Sequence, residues 1–155
     1  MAACVLAPVP VFADAGKDLP LKPEREIEFS VDKATWLSLD VSPAGDTLVL
    51  EILGDLYLLP IEGGQARAIT RGMAYDTQPR FSPDGQRIAF VSDRDGPTAV
   101  WTVDVDGEDA KKIGSGGDRA DYASPGWSPD GRHVVVSKTS WGLRTFELWA
   151  YHVDG

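Results

Sequence analysis

The sequence predicts an all-β fold assembled from repeated antiparallel units, and three observations carry that reading. A four-residue turn recurs as Ser42-Pro43-Ala44-Gly45, Ser82-Pro83-Asp84-Gly85 and Ser128-Pro129-Asp130-Gly131, its serines 40 and 46 residues apart. Each copy leads into an apolar run, then into a second run anchored by Tyr57, Trp101 or Trp149, with a glycine six residues later at Gly63, Gly107 and Gly155. The composition is that of turns, with 17 Asp against 7 Glu, 16 Gly and 11 Pro, and no stretch keeps a 3.6-residue apolar period over three turns. A repeat of this length built from short strands specifies a β-propeller of four-stranded antiparallel blades. About two and three-quarter blades fit in the chain, an incomplete ring, since closure needs at least about four.

The elements follow in order. Residues 1–15 form a leader: Ala2 to Phe12 is uncharged and largely apolar, and Ala13-Asp14-Ala15 fits the small-x-small rule for signal-peptide cleavage. Its basic opening is missing, which fits a truncated signal peptide; alternatively Met1-Ala2-Ala3-Cys4 is the tail of a lipobox with Cys4 acylated. Eleven residues are too few for a transmembrane span. Residues 16–35 read as a polar linker followed by a strand at Glu26–Phe29, where Ile27 and Phe29 alternate. Blades then occupy about 36–72, 73–117 and 118–155.

Inside each blade the turn chemistry sets the strand order. Pro fixes φ for the second position of a reverse turn, and Gly accepts the positive φ that closes it. Asp95-Gly96, Asp106-Gly107 and Glu62-Gly63-Gly64 supply the next reversals. Third strands are expected at Asp55–Ile61, Ala99–Val105 and Phe146–Val153, and fourth strands near Ala66–Thr70 and Ala110–Ile113. From the turn serine to the third-strand aromatic the spacing varies as 15, 19 and 21 residues. The variable part is the loop between second and third strands, longest at Lys138–Thr145, where Trp141 is a candidate contact.

Charge excludes some partners. A net charge of −9 argues against nucleic acid and anionic membrane surfaces, which need clustered Lys and Arg. Lys111-Lys112 is the one adjacent basic pair and reads as a solvated strand end. After residue 15 there is no cysteine, which suits an oxidising compartment, and the leader points to a bacterial periplasm.

Catalytic signals are absent from this stretch of sequence. His133 and His152 are unpaired in sequence and sit at strand positions. No Gly-x-Ser-x-Gly elbow occurs. Gly114-Ser115-Gly116-Gly117 lacks the Lys-Ser/Thr of a phosphate loop and reads as the link between blades two and three. Asp104–Asp109 has its glycine misplaced for a calcium loop and reads as a hairpin turn, as does Asp93-Arg94-Asp95-Gly96. No cofactor is expected in the chain itself.

Asp76 and Asp121 each precede a proline, Pro79 and Pro125, that leads into a blade's first strand. One reading makes them caps that hold neighbouring blades through backbone hydrogen bonds. The other places them at the mouth of the central channel, where Trp36, Tyr75 and Tyr122 would add aromatic contact surface.

Residues 81–96, Phe-Ser-Pro-Asp-Gly-x-x-Ile-Ala-Phe-x-Ser-Asp-x-Asp-Gly, resemble the repeat of TolB-type propellers, which also occurs in tricorn-like proteases and prolyl-oligopeptidase-type peptidases. Leu53–Pro60, Thr70–Pro79 and Trp36–Pro43 are similar to the opening of exported amidohydrolases that carry such a propeller before a metal-dependent domain. Ala44 departs from the family's Asp, which implies one hydrogen bond fewer in the first turn. The resemblance implies a non-catalytic module serving as scaffold or binding platform, with the rest of its own propeller and a downstream domain as partners. A divalent metal such as zinc would belong to that domain. Alternatives are a TolB-like scaffold contacting envelope proteins, or the propeller of a serine peptidase.

Overall fold

The computed structural model describes residue 33 and residues 37–117, 120–140 and 145–155. The leader, the Glu26–Phe29 strand, Trp36 and Trp141 lie outside the described residues. Among the described residues, eleven strands make three antiparallel sheets. Blade one holds β1 (Leu39–Val41), β2 (Thr47–Ile52), β3 (Asp55–Pro60) and β4 (Arg67–Ala68). Blade two holds β5 (Thr77–Phe81), β6 (Arg87–Ser92), β7 (Ala99–Asp104) and β8 (Lys111–Ser115). Blade three holds β9 (Ala120–Trp127), β10 (His133–Ser140) and β11 (Thr145–His152). Each sheet keeps its strands in chain order, the meander expected of a propeller blade.

Each Ser-Pro-x-Gly segment reverses the chain between a blade's first two strands. The glycine N–H donates to the serine carbonyl at 2.8–2.9 Å in all three copies, with glycine φ of 76°, 71° and 68°. In blade two Ser82 Oγ donates to Asp84 Oδ1 at 2.6 Å and accepts the Arg87 N–H at 2.9 Å. Blade three repeats this with Ser128, Asp130 and His133. Blade one has Ala44, yet its carboxylate is replaced rather than lost, because Ser42 Oγ donates instead to Asp46 Oδ1 at 2.9 Å. The serine donation holds the Asp84, Asp130 and Asp46 carboxyls below the usual carboxylate range. Ser82 is buried whereas Ser42 is half-exposed. Ser82→Ala is therefore expected to destabilise by about 1–3 kcal/mol, and Ser42→Ala by less. Thermal melts of the two variants check the order.

Blade two packs one face on blade one and the other on blade three. Val49, Leu56 and Leu58 on the trailing face of blade one meet Phe81, Ile88, Phe90 and Trp101 on the leading face of blade two. Ala89, Val91 and Val100 likewise meet Val134, Val136 and Tyr122 of blade three. Each such fully buried aliphatic side chain contributes about 1.5–3 kcal/mol relative to exposure.

The first strands carry a shared irregularity. The β5–β6 register shifts between Thr77 and Arg80, and the β9–β10 register between Val135 and Ser137. Gln78 (φ 56°) and Ser124 (φ 55°) lie at these bulges, each directly before a proline that has no N–H to give the ladder. Their own N–H groups turn to the preceding blade, Gln78 N donating to Ser38 Oγ at 2.9 Å and Ser124 N to Gln78 Oε1 at 2.6 Å. Ser38, Gln78 and Ser124 all stand four residues before a turn serine. A relay thus runs from blade to blade along the first strands.

Two expected boundaries move. Gly114 and Ser115 belong to β8, so the inter-blade link begins only at Gly116, because Val100 pairs with Gly114 and Ala99 with Ser115. Lys138–Ser140 extend β10 rather than opening a loop, since they pair with Glu147, Phe146 and Thr145.

Candidate functional site

The end of the blades opposite the Ser-Pro turns carries the β2–β3 hairpin, the β6–β7 loop and the inter-blade links, and most buried charge gathers there. Asp76, in the link before β5, donates its N–H to Gly54 O at 2.8 Å, which ties that link to the β2–β3 hairpin. Its carboxylate is fully buried and pairs with Arg94, Nη2 to Oδ2 at 2.5 Å. Arg94 is held from several sides. Its guanidinium lies 5.1 Å from the Phe90 ring centre and 5.3 Å from that of Trp101, and its Nε and backbone N–H donate to Ser92 Oγ. Cation–π contacts of this kind favour a charge withdrawn from water. Asp76 Oδ1 and Trp101 Nε1 are buried without a hydrogen-bond partner among the described residues.

Asp55 opens β3 beside this pair. Burial first, and then the Asp76 charge, push its carboxyl up to about 7, with Arg71 and Arg94 pulling the other way. The folded chain therefore holds a proton that the unfolded chain has lost between pH 3.8 and about 7. Stability must fall as pH rises through that window, since the unfolded state there binds fewer protons. Asp55→Asn abolishes the titration. Its melting temperature is expected to exceed the parent's above pH 7 and to match it below pH 4. An offset independent of pH would refute the assignment.

A second carboxylate joins the first strands. Glu51 is buried and accepts from Ser38 Oγ at 2.9 Å and Thr77 Oγ1 at 2.5 Å. Its charge raises the phenol of Tyr75 above the ordinary value. Tyr75 itself is exposed, and its N–H donates to Asp93 Oδ1 at 2.7 Å.

Of the six candidate contact residues, Tyr75 and Asp76 lie at this end, Asp76 buried in the ion pair and Tyr75 exposed. Tyr122 holds the equivalent place to Asp76 in blade three, six residues before the turn serine. It is buried, and its hydroxyl lies 2.9 Å from that of Tyr151; burial and this bond raise its phenol. Asp121 is exposed on β9, opposite Thr139. Trp36 and Trp141 are outside the described residues, and the Ser-Pro turn residues lie at the other end of the blades. Sequence reasoning missed Arg94, Asp55 and Glu51. It also missed Ser38, Gln78 and Ser124, although their common offset from the turn serine was a readable signal.

Other chemistry stays apart from this cluster. His133 and His152 pair across β10 and β11, rings edge to face with centres 5.1 Å apart, at the turn end of blade three. A groove of about 310 Å³ at the same end runs between blades one and two, lined by Leu58, Phe81 and Val105 among others. Arg67 is one of its walls, donating to the carbonyls of Val105 (2.7 Å) and Asp106 (3.1 Å). Among the described residues no group of three His, Cys, Asp or Glu is arranged to hold a metal ion. No helix among them is long and apolar enough to cross a membrane.

Blades of this sequence and geometry are shared with known proteins. The family model of the tricorn protease N-terminal beta propeller domain matches residues 15–155. The chain belongs to that family. Tricorn protease homolog 1 of Streptomyces coelicolor is 33% identical over 95 residues, covering 61% of this chain and 9% of that protein. The Tol-Pal system protein TolB of Bordetella pertussis is 42% identical over 59 residues, covering 37% of this chain and 14% of that protein. The chain therefore spans only 9% and 14% of the length of these curated relatives. Among solved structures, a putative TolB from Agrobacterium tumefaciens superposes with a TM-score of 0.65 at 27% identity, covering 74% of this chain and 44% of that one. The propeller is TolB-like.

Proposed function

We propose that this chain is a non-catalytic propeller module of a larger exported hydrolase, serving as a rigid platform for substrate or a partner domain. One observation carries the reading: the charged side chains Arg94, Asp76 and Glu51 of the link end are bonded within the protein itself. Arg94 binds Asp76, Ser38 and Thr77 bind Glu51, and Gln78 binds Ser124. Such a network holds blades in place and presents no activated nucleophile. Export is supported by the leader-like residues 1–15 and by similarity to a Tol-Pal protein.

For the parent enzyme, the segments Leu53–Pro60 and Thr70–Pro79 favour a metal-dependent amidohydrolase. A peptidase is the second reading, favoured by similarity to a tricorn protease homolog. Sequencing the reading frame past Gly155 discriminates them, a His-x-His barrel supporting the first and a Gly-x-Ser-x-Gly elbow the second. The purified 155-residue chain is expected to hydrolyse neither amides nor peptides, with or without added zinc. Metal-dependent turnover by it would overturn the proposal. The mature exported protein is expected to begin at Gly16 on N-terminal sequencing, whereas a lipid on Cys4 would support the lipobox.

A further inference from the structure

The two seams between blades are built from equivalent residues, with one difference at the turn end. Between blades two and three, Arg87 lies over Trp127, its guanidinium carbon 5.3 Å from the ring centre, and its Nη2 reaches to 3.5 Å from Gly131 O. Lys111 is a second cation of that seam, its Nζ donating to Val153 O at 3.3 Å. Between blades one and two the second cation recurs as Arg67, which donates to Val105 O; Arg67 and Lys111 each stand ten residues after the anchoring aromatic. The aromatic recurs as Phe81, one residue before its turn serine like Trp127, and the glycine as Gly85. The arginine does not recur. Thr47 stands where Arg87 does, five residues after the turn serine. The groove of about 310 Å³ lies at this place, lined by Thr47, Phe81 and Gly85 together with Asp46 and Asp84. Both of its walls belong to four-stranded blades within the chain.

We propose that this groove binds an arginine side chain presented by an exposed segment of a partner protein, its guanidinium taking the place that Arg87 takes in the next seam. The volume is at the low end of the about 300–1,000 Å³ of ligand pockets, which suits one long side chain and its flanking backbone. Leu58 and Val105 give the aliphatic stem an apolar surface. Phe81 offers the cation an aromatic ring, and Gly85 O is the counterpart of the carbonyl that Arg87 approaches. Asp46 and Asp84 add opposite charge. Both are exposed, and their turn bonds all use Oδ1, so each Oδ2 can accept from the guest. Arg67 is compatible with such a guest, because the next seam holds Lys111 and Arg87 together. A lysine would supply the charge without the planar fork. The site is at the opposite end of the blades from the Asp76–Arg94 pair, and the inference does not rest on the proposed parent enzyme.

Titration of acetyl-Gly-Arg-Gly amide into the isotope-labelled 155-residue chain, followed by amide NMR shifts, tests this. Shifts are expected at Asp46, Thr47, Asp84 and Gly85, and not at Tyr75 or Asp76. The same peptide with citrulline, which keeps the shape and loses the charge, should bind at least about ten-fold more weakly. Thr47→Arg supplies the arginine from within the seam. It should weaken peptide binding at least about ten-fold while melting no lower than the parent. Asp46→Asn keeps an acceptor for Ser42 and removes one charge, and should weaken binding about three- to five-fold. The citrulline peptide and Asp46→Asn decide the matter even where Thr47→Arg fails to fold. A titration that leaves the groove amides unmoved would overturn the proposal. Equal binding of the citrulline peptide, or undiminished binding by a folded Thr47→Arg, would do the same.

Discussion

Arg94→Met is expected to destabilise the chain by about 3–5 kcal/mol, a large part of the roughly 5–15 kcal/mol by which folded domains are stable. The substitution leaves the Asp76 carboxylate buried at 1% side-chain exposure with no counter-ion, and that is the costly half of a broken pair. It also removes the guanidinium from between Phe90 and Trp101. Asp76→Asn leaves the other charge instead, but the Arg94 side chain is 22% exposed and its head group can turn toward water. Its effect should be the smaller, about 1.5–3 kcal/mol. The double variant should lose less than the two singles together, because it leaves neither charge buried alone. Chemical denaturation of the four proteins measures all three statements. Additive effects, or a larger loss from Asp76→Asn, would show that the pair does not act as a unit.

Gly107→Ala is expected to be nearly as damaging, at about 2–5 kcal/mol. Two separate costs meet there. The backbone sits at φ 94°, which an L side chain adopts only under strain, and a Cβ would come within 2.7 Å of the Ile69 carbonyl oxygen. Ile69 is itself fixed, its N–H donating to Leu56 O at 2.8 Å, so the clash is with backbone that cannot swing aside. This is the point where the third hairpin of blade two abuts the outer edge of blade one. Gly96→Ala is the control: φ is 98° but nothing lies within 4 Å of the added carbon, so only the conformational cost of about 1–2 kcal/mol remains. Equal melting temperatures for the two variants would mean that close approach at Gly107 contributes nothing.

How much of this was readable beforehand divides by sequence distance. Turns are local, and Ser-Pro-Asp-Gly announces its geometry within four residues, so the strand order within blades two and three follows from spacing alone. The charge pair was not readable because Asp76 and Arg94 are 18 residues apart, and Arg94 sits in a run that turn chemistry already explains. The relay was harder still, since its bonds join residues 40 and 46 apart in different blades. Lys138–Ser140 looked like loop because they are polar. They are strand because Lys138 faces Glu147 across the ladder, a pairing invisible without the register. Ala44 misled in the opposite sense: the missing carboxylate lay two residues on, at Asp46, a substitution of supplier that a rigid motif conceals.

The relay through Ser38, Gln78 and Ser124 bears on how such a gene can grow. Each repeat offers an acceptor forward and an N–H backward, so the joint between any two repeats has the same grammar. A duplication of one 40- or 46-residue period, copied in frame from any starting point, restores both ends of every joint. A length change falling inside a strand shifts the acceptor off its donor and, when it is odd, turns the alternating strand faces out of phase. Lengthening by whole periods is then tolerated, while insertions that survive collect in the loops between second and third strands, where no joint is crossed.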